Sequence, residues 1–236
     1  MTPYFDDGIV TIYHGDCSVI APQLGTFDLL CTDPPYGIGE ARKDHSSRGT
    51  RKYTEKRIGK SVGVIRAAVR VYERSDWDDR PASDDLITAI RMLARWQCIF
   101  GGNYFTLPPS RCWLVWDKEN GASDFADAEL AWTNYPSAVR LKRYQWNGML
   151  RGRVSGKLAE PRFHPTQKPL HVMTWAIGLC PEKPSTVFDP FMGSGTTLRA
   201  CKDLGIRAVG IEREEKYCEI AARRMSQQSL VLGGHA

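Results

Sequence analysis

The chain has 236 residues, of which 42% are hydrophobic and 25% charged, and its net charge is +5. These values are typical of one soluble globular domain spanning 1–236, and the absence of a long apolar stretch or signal-peptide layout predicts a cytoplasmic protein without a membrane span. The seven cysteines and five histidines lack metal-ligand spacing, so we predict reduced thiols and no metal site.

Short apolar runs alternate with helical patterns along the chain. In chain order, we predict a strand at 10–16, a short helix or turn at 17–24, a strand at 27–33, a helix at 85–96, strands at 97–102 and 112–118, a helix at 171–180, a strand at 185–191, a helix at 196–205, a strand at 207–212 and a helix at 215–227. This alternation favours an α/β domain with a mainly parallel sheet between two helical layers.

Two segments interrupt this alternation and carry most of the positive charge. Residues 40–74 hold eleven Lys or Arg against four acids, and residues 140–162 hold seven against one. Such segments are often solvated loops, but two of them on an otherwise acidic body indicate a polyanionic partner. We predict a contact loop at about 37–75 and a recognition segment at about 138–163. The candidate contacts are Arg42, Lys43, Arg48, Arg51, Lys52, Arg140, Lys142, Arg143, Tyr144, Trp146, Arg151 and Arg153.

The first chemistry-bearing motif is Asp33-Pro34-Pro35-Tyr36, which ends a buried strand. An exocyclic amine is a poor nucleophile, because its lone pair is conjugated into the ring. The Asp33 carboxylate and the rigidly held Pro34 carbonyl are acceptors that can draw on the amine protons and aim the lone pair. The Tyr36 ring offers a face on which an extruded base can stack. In the alternative interpretation, these four residues have only a structural role, as the end of a strand followed by a Pro-Pro turn.

The second motif is a glycine-rich loop at 188–197, between a strand and a helix. Gly193 and Gly195 let the backbone approach a ligand, and the helix N-terminus presents free N–H groups. Glu212 ends the next strand, where a carboxylate can accept hydrogen bonds from ribose hydroxyls. The loop lacks the third glycine of a dinucleotide site, which disfavours a dehydrogenase.

Together these motifs resemble the amino-methyltransferases of DNA, in the permuted β arrangement where the base-binding motif precedes the cofactor loop. The resemblance implies a Rossmann-like class I methyltransferase fold with a seven-stranded, mostly parallel sheet and a circularly permuted motif order. Four further blocks are similar to those of small phage or prophage-type adenine methylases: Trp77-Asp78-Asp79, Gly101–Phe105, Trp113–Lys118 and Trp146–Leu150.

The resemblance also implies S-adenosylmethionine as cofactor and assigns residue roles. Asp16 would contact the adenine of the cofactor, Glu212 its ribose, and the glycine-rich loop its methionine end, while the block starting at His164 would lie beside it. The implied cofactor-binding residues are Asp16, Cys17, Asp33, His164, Thr166, Lys168, Asp189, Phe191, Gly193, Ser194, Gly195, Thr196, Thr197 and Glu212. Met192 replaces the alanine or leucine that is usual in the family.

We therefore expect direct methyl transfer to the N6 of adenine in double-stranded DNA, with Asp33, Pro34, Pro35 and Tyr36 as the catalytic set. Cytosine-N4 methylation stays open, although such enzymes more often carry Ser in place of Asp33. Methylation of protein glutamine or RNA is disfavoured by the motif order, and a silent DNA-binding regulator by the intact motifs. A homodimer would suit a palindromic site.

Overall fold

The computed structural model describes residues 1–37, 80–120, 126–147, 150–151 and 167–227. Most of the predicted basic loop lies outside these ranges, including Arg42, Lys43, Arg48, Arg51 and Lys52. The Trp77–Asp79 block, Arg153, His164 and Thr166 also lie outside the described residues.

The described strands form one large mixed sheet and one small ladder. The strands are β1 (Phe5–Asp6), β2 (Val10–His14), β3 (Phe27–Thr32), β4 (Ala94–Phe100), β5 (Trp113–Asp117), β6 (Ala128–Thr133), β7 (Arg140–Arg143), β8 (Trp146–Asn147), β9 (Leu150–Arg151), β10 (Thr186–Asp189) and β11 (Arg207–Glu212). Nine of them form the sheet in the order β1-β2-β11-β10-β3-β4-β6-β5-β7, and β8 pairs with β9.

The implied count of seven strands is therefore corrected to nine within the described residues. The two-residue β1 adds an antiparallel edge to β2, and the basic run Arg140–Arg143 adds β7 beside β5. Neither segment has the apolar pattern of a buried strand, which is why the sequence did not mark them. The strand β6 was also not predicted, although its residues AELAWT become progressively more buried along the strand.

In the described part of the chain, five α-helices cover the sheet: α1 (Cys17–Ile20), α2 (Asp84–Arg91), α3 (Leu170–Gly178), α4 (Thr196–Asp203) and α5 (Glu215–Ser226). The Ser83 hydroxyl caps α2 by accepting from the Leu86 N–H, a local signal that fixes the start of this helix. We predicted that α2 would reach residue 96, but it ends at Arg91. Residues 94–96 belong to β4 instead, because β4 pairs with β3 and Ala94 lies opposite Phe27.

Parallel pairing dominates the centre of the sheet. β2, β11, β10, β3 and β4 run parallel to one another, so their carboxyl ends meet at one edge. β2 and β11 are neighbours, and Glu212 lies in register with His14, so Asp16 follows the strand next to the one that Glu212 ends. β6 runs antiparallel between β4 and β5, so β6 begins where its neighbours end.

The core lies on both faces of this sheet. Helices α3, α4 and α5 bury Met173, Leu198 and Ala221 against one face, and α1 and α2 bury Ile20 and Ile87 against the other. This is the three-layer arrangement that the alternating pattern predicts. All seven cysteines are free. Within the described ranges, no helix has both the length and the apolarity to cross a bilayer.

Leu29 on β3 tests the central packing. It is 0% exposed in the middle of the parallel strands, and we expect Leu29→Ala to lower the free energy of unfolding by roughly 2–5 kcal/mol, through lost burial and the cavity left behind. Chemical denaturation measures the change. Met92→Ala is the control, because Met92 is 78% exposed and its truncation should change stability by less than about 0.5 kcal/mol. Equal effects of the two substitutions would contradict this packing.

Candidate active site

Four acidic residues that follow or end parallel strands meet around one cavity of about 350 Å³. They are Asp16, Asp33, Asp189 and Glu212, contributed by the ends of β2, β3, β10 and β11. The volume lies in the range of small-molecule sites, and the carboxyl edge is where open α/β sheets bind ligands. The sheet thus brings residues nearly 200 positions apart in the chain to a single pocket.

The glycine-rich loop forms one wall of this cavity. Its lining residues are Phe191, Met192, Gly193, Ser194, Thr196 and Thr197. The Gly193 N–H donates to Glu212 Oε2 at 3.0 Å, which joins the loop to the end of β11. Gly195 faces α5, since its φ is +77° and a Cβ there would lie 2.9 Å from the Ala221 Cβ. Its glycine requirement therefore comes from packing and backbone conformation.

A buried arginine that the sequence analysis did not single out supports this loop from behind. Arg224 on α5 donates from its guanidinium to the Ser194 carbonyl at 2.5 Å and lies 3.3 Å from the Ser194 and Thr196 hydroxyl oxygens. The only signal in the sequence is its helical spacing from the buried residues Tyr217 and Ala221. Arg224 holds the loop backbone in place by satisfying a buried carbonyl.

Burial changes the charge state of the cavity carboxyls. It raises the pKa of Glu212 to about 7, against the lowering effect of the N–H groups of Glu214 and Gly193. It raises the pKa of Asp189 to about 6, while hydrogen bonds from Thr197, from the Thr32 hydroxyl at 2.7 Å and from the Phe191 N–H oppose this. Both groups therefore titrate close to neutral pH.

Asp16 and Cys17 form the cavity wall at the start of α1. Asp16 caps α1, accepting from the Ser18 N–H at 2.8 Å and the Ser18 hydroxyl at 2.7 Å, and these bonds lower its pKa. Burial raises the pKa of the Cys17 thiol to about 12, so Cys17 contributes a neutral surface. Asp16 is thus ionised on the cavity wall.

Asp33 lies in an ion-pair network at the end of β3. Its Oδ1 accepts from the Tyr36 hydroxyl, and its Oδ2 accepts from Lys168 Nζ at 2.6 Å. Burial raises the pKa of Asp33, opposed by the Lys168 ammonium. The pKa of Lys168 is raised, because the attraction of Asp33 and Glu129 outweighs burial. The structure thus places Lys168, expected beside the cofactor, both on the cavity wall and on the carboxylate of Asp33.

The turn at Asp33–Tyr36 is fixed by its surroundings. Pro34 is buried, and the Pro35 carbonyl accepts from the Ala82 N–H at 3.1 Å, which ties the turn to the segment before α2. The Tyr36 ring stacks on Tyr104, with ring centroids 4.8 Å apart and planes at 14°. Tyr104 is 50% exposed, so this aromatic pair lies at the surface of the site.

Glu129 at the start of β6 belongs to the same network and was not predicted. Its Oε1 lies 2.5 Å from Lys118 Nζ, and its Oε2 lies 3.1 Å from Lys168 Nζ. Although burial acts to raise the pKa of Glu129, the two ammonium groups lower it. The sequence carries no motif at this position, and only the antiparallel course of β6 brings Glu129 to the carboxyl edge.

The described part of the predicted recognition segment divides into exposed and buried residues. Arg140 and Arg143 are exposed on β7, with Lys142 partly buried between them. Trp146 is 8% exposed and packs in the core, and Tyr144 packs against His171 with ring centroids 5.1 Å apart. The Trp146 ring is buried by apolar packing, so the prediction that Trp146 contacts a polyanionic partner at the surface is withdrawn. The side chain of Arg151 is not described.

Gly101 tests the placement of Tyr36. At Gly101 φ is +65°, and a Cβ would lie 2.0 Å from the Tyr36 ring, so Gly101→Ala is expected to displace this ring. We expect loss of at least tenfold in any activity that needs Tyr36, with cofactor affinity retained. Gly205→Ala is the matched control, because Gly205 has a similar φ of +68° but open space around it. If both variants lose activity equally, strain rather than the Tyr36 contact is responsible.

Comparison with known proteins adds a family match over the second half of the chain. Residues 109–223 match the family model N6_N4_Mtase, described as DNA methylase. The Type II methyltransferase M2.DpnII of Streptococcus pneumoniae is 36% identical over 84 residues, which are 36% of this chain and 30% of the relative. The chain thus spans less than a third of that relative's length. The Type II methyltransferase M.ScaI of Streptomyces caespitosus is 24% identical, covering 96% of this chain and 84% of the relative.

Solved structures share the fold over nearly the whole chain. The M1.HpyAVI–SAM complex is 22% identical with a TM-score of 0.51, covering 91% of this chain and 99% of that one. The PvuII DNA methyltransferase, described as cytosine-N4-specific, is 13% identical with a TM-score of 0.56, covering 97% and 90%. At these identities the likeness shows the fold alone. Among the described residues, no group of three or more His, Cys, Asp or Glu could hold a metal ion.

Proposed function

We propose that this chain, related over 109–223 to the N6_N4 DNA methylases, transfers a methyl group from S-adenosylmethionine to an exocyclic amino group of a DNA base, the N6 of adenine. The observation that carries the proposal is that Asp33 lines the same cavity as the glycine-rich loop and Glu212. The proposed amine acceptor and the loop proposed to bind the cofactor therefore line one cavity. Direct methyl transfer requires the base and the cofactor to be bound next to each other.

The cavity fits S-adenosylmethionine by its size and by its pattern of acceptors. Glu212 ends β11, where its carboxylate can accept from ribose hydroxyls, and Asp16 lies across the cavity as an ionised acceptor. Phe191, Met192 and Met173 give the cavity an apolar wall, and α4 begins at Thr196 with its N-terminus on the same cavity. When bound, the cofactor supplies an electrophilic methyl group on sulfur.

The residues around Asp33 would then handle the amine of an extruded base. The Asp33 carboxylate and the Pro34 carbonyl accept hydrogen bonds from the amine, which directs the nitrogen lone pair toward the methyl group. Transfer would exchange the S–C bond of the cofactor for a new N–C bond, which would leave a neutral thioether, and the surplus amine proton would pass to solvent. The Tyr36 ring, held against Tyr104, supplies a stacking surface for the base. No covalent bond between base and protein is needed.

Adenine is proposed over cytosine because Asp33 occupies the first motif position, where N4-cytosine enzymes of this arrangement more often have Ser. Cytosine N4 is the second candidate, since the matched family model is named for both N6 and N4 methylation. Both amines are chemically alike, so pocket shape around the base decides between them. The permuted, phage-type character of the enzyme belongs to the same proposal: the permuted arrangement is supported by the order of the motifs along the chain, and the phage type by the four sequence blocks at 77–79, 101–105, 113–118 and 146–150.

Double-stranded DNA is proposed to approach across the carboxyl edge. Arg143 ends β7, which runs parallel to β5, so Arg143 lies at the same carboxyl edge of the sheet as Asp33, where its Nε is 3.5 Å from Asp117 Oδ2. Phosphate contacts from Arg140 and Arg143 would position the duplex without reading its sequence. An enzyme acting on DNA in this way would work in the cytoplasm of a bacterium, and a homodimer would suit a palindromic target.

Replacing Asp33 tests the central proposal. We expect Asp33→Ala to reduce methyl transfer to plasmid DNA by at least a thousandfold while cofactor affinity changes by less than threefold, because the amine acceptor is lost and the cofactor wall is kept. Radiolabelled methyl incorporation and calorimetry measure the two effects. Mass analysis of nucleosides from DNA treated with the unaltered protein identifies the base. Turnover by Asp33→Ala at the unaltered rate would remove Asp33 from the mechanism, and N4-methylcytosine would select the second candidate.

Glu212 gives cofactor binding a defined pH dependence. Its pKa of about 7 means that it takes up a proton as the pH falls below 7, and the neutral acid is a weaker acceptor for ribose hydroxyls. We expect cofactor affinity to be constant above about pH 8 and to weaken below pH 7, by at most roughly tenfold per pH unit.

Glu212→Gln is the matched variant for this pH dependence. It should bind the cofactor more weakly at pH 8 and show no change between pH 8 and pH 7. Asp189, with a pKa of about 6, remains in both proteins and accounts for any common loss at lower pH. Calorimetric titration at several pH values makes the comparison. An identical pH dependence in both proteins would show that Glu212 does not contact the cofactor.

A further inference from the structure

The carboxylate of Asp33 is already engaged before any base arrives. Its Oδ1 accepts from the Tyr36 hydroxyl and its Oδ2 from the Lys168 ammonium at 2.6 Å. A hydrogen bond between an ammonium and a carboxylate is stronger than one between a neutral amine and a carboxylate. For an amine to be held by Asp33 Oδ2, the Lys168 ammonium has to loosen its contact.

Glu129 offers the Lys168 ammonium a second carboxylate partner. Its Oε2 lies 3.1 Å from Lys168 Nζ, within ion-pair distance. The same oxygen is buried and accepts no hydrogen bond within the described residues. A small rotation of the Lys168 side chain would convert this ion pair into a hydrogen bond, which a buried acceptor favours. Lys118 holds the other oxygen of Glu129 at 2.5 Å, so Glu129 is fixed in place to receive the ammonium.

Among the described residues, the polar partners of the Lys168 ammonium are these two carboxylates and the Tyr36 hydroxyl, which lies 3.4 Å from Nζ. Its side chain is 8% exposed, and its Nζ lies 5.5 Å from the Tyr36 ring centre and 5.6 Å from that of Phe100. A buried ammonium needs charged partners, and it has three protons to donate. The Tyr36 and Phe100 rings flank the ammonium, and of its polar neighbours only Asp33 and Glu129 carry the opposite charge.

We propose that Glu129 is a positioning residue for methyl transfer, which competes with Asp33 for the Lys168 ammonium and takes it over when the target amine binds Asp33. The proposal rests on the proposed function, because it concerns the acceptor role of Asp33. Loss of the Glu129 charge leaves the ammonium with a single carboxylate and locks it onto Asp33. Glu129 therefore acts through Lys168, without touching the base.

The charged and titratable groups around Asp33 define the expected pH behaviour. Lys168, Glu129 and Tyr36 face it directly, Lys118 lies behind Glu129, and Asp189 interacts with it across the cavity. Without the Glu129 charge, Lys168 loses one of the two carboxylates that keep it protonated, and Asp33 loses a repelling neighbour. Lys168 should then release its proton at lower pH, and Asp33 should become a weaker base.

The experiment compares Glu129→Gln with the unaltered protein and with Glu182→Gln, a matched change in an exposed ion pair with Arg95. Single-turnover methyl transfer at saturating DNA and cofactor is measured from pH 6 to pH 10, together with cofactor affinity. We expect Glu129→Gln to be at least tenfold slower near pH 7.5, to recover as the pH rises and Lys168 loses its proton, and to bind cofactor within twofold of the unaltered protein. Glu182→Gln should match the unaltered protein throughout.

A second readout needs no catalysis. Carbon-13 NMR of labelled aspartate carboxyls in the cofactor-free protein should show Asp33 titrating at lower pH in Glu129→Gln than in the unaltered protein. Glu129→Asp keeps the charge and should restore at least part of the rate without the alkaline recovery, which covers the case in which the Gln variant folds poorly.

The outcomes separate this proposal from the broader one. An unaltered protein that does not methylate DNA overturns the proposed function, while the Asp33 titration still decides whether Glu129 competes for the ammonium. Unaltered turnover in Glu129→Gln, an equal rate deficit at every pH, or an unchanged Asp33 titration would each overturn the positioning role.

Discussion

The parallel backbone pairing of β2, β11, β10 and β3 is the constraint on which the rest of the site depends. It places Glu212 in register with His14 and Asp189 with Gly210, so the residues that follow these strands emerge side by side. The acids at 16, 33, 189 and 212 come from opposite ends of the chain, and nothing but this pairing brings them together. The position of the cavity is thus set by hydrogen bonds between strands rather than by contacts among the site residues themselves.

The reversal of one strand adds a second set of groups to that edge. Because β6 runs antiparallel to both neighbours, its first residues lie where the parallel strands end, opposite the last residues of β5. Glu129 and Lys118 thereby reach the ion pair of Asp33 and Lys168, and the four side chains together carry no net charge. Mutual neutralisation is what allows so many ionisable groups to be partly buried beside an acceptor that must stay available.

The cofactor side of the cavity depends on a different kind of support. There the loop at 190–195 is shaped by glycines with positive φ and held by Arg224, while Glu212 binds its backbone at Gly193. Backbone N–H groups and buried carboxyls whose pKa lies near neutrality form this wall, whereas side chains held in ion pairs form the proposed base side. One cavity therefore combines a pH-sensitive wall with a wall whose charge is fixed by ion pairs.

The sequence by itself determined the α/β alternation, the glycine-rich loop and the Asp33–Tyr36 turn, because each depends on residues close together in the chain. Only the tertiary structure decided that Lys168 lies on Asp33, 135 positions away, that Glu129 joins them, and that Trp146 is inside. Those contacts follow from strand order, strand direction and packing, which are long-range properties that local residue patterns do not encode.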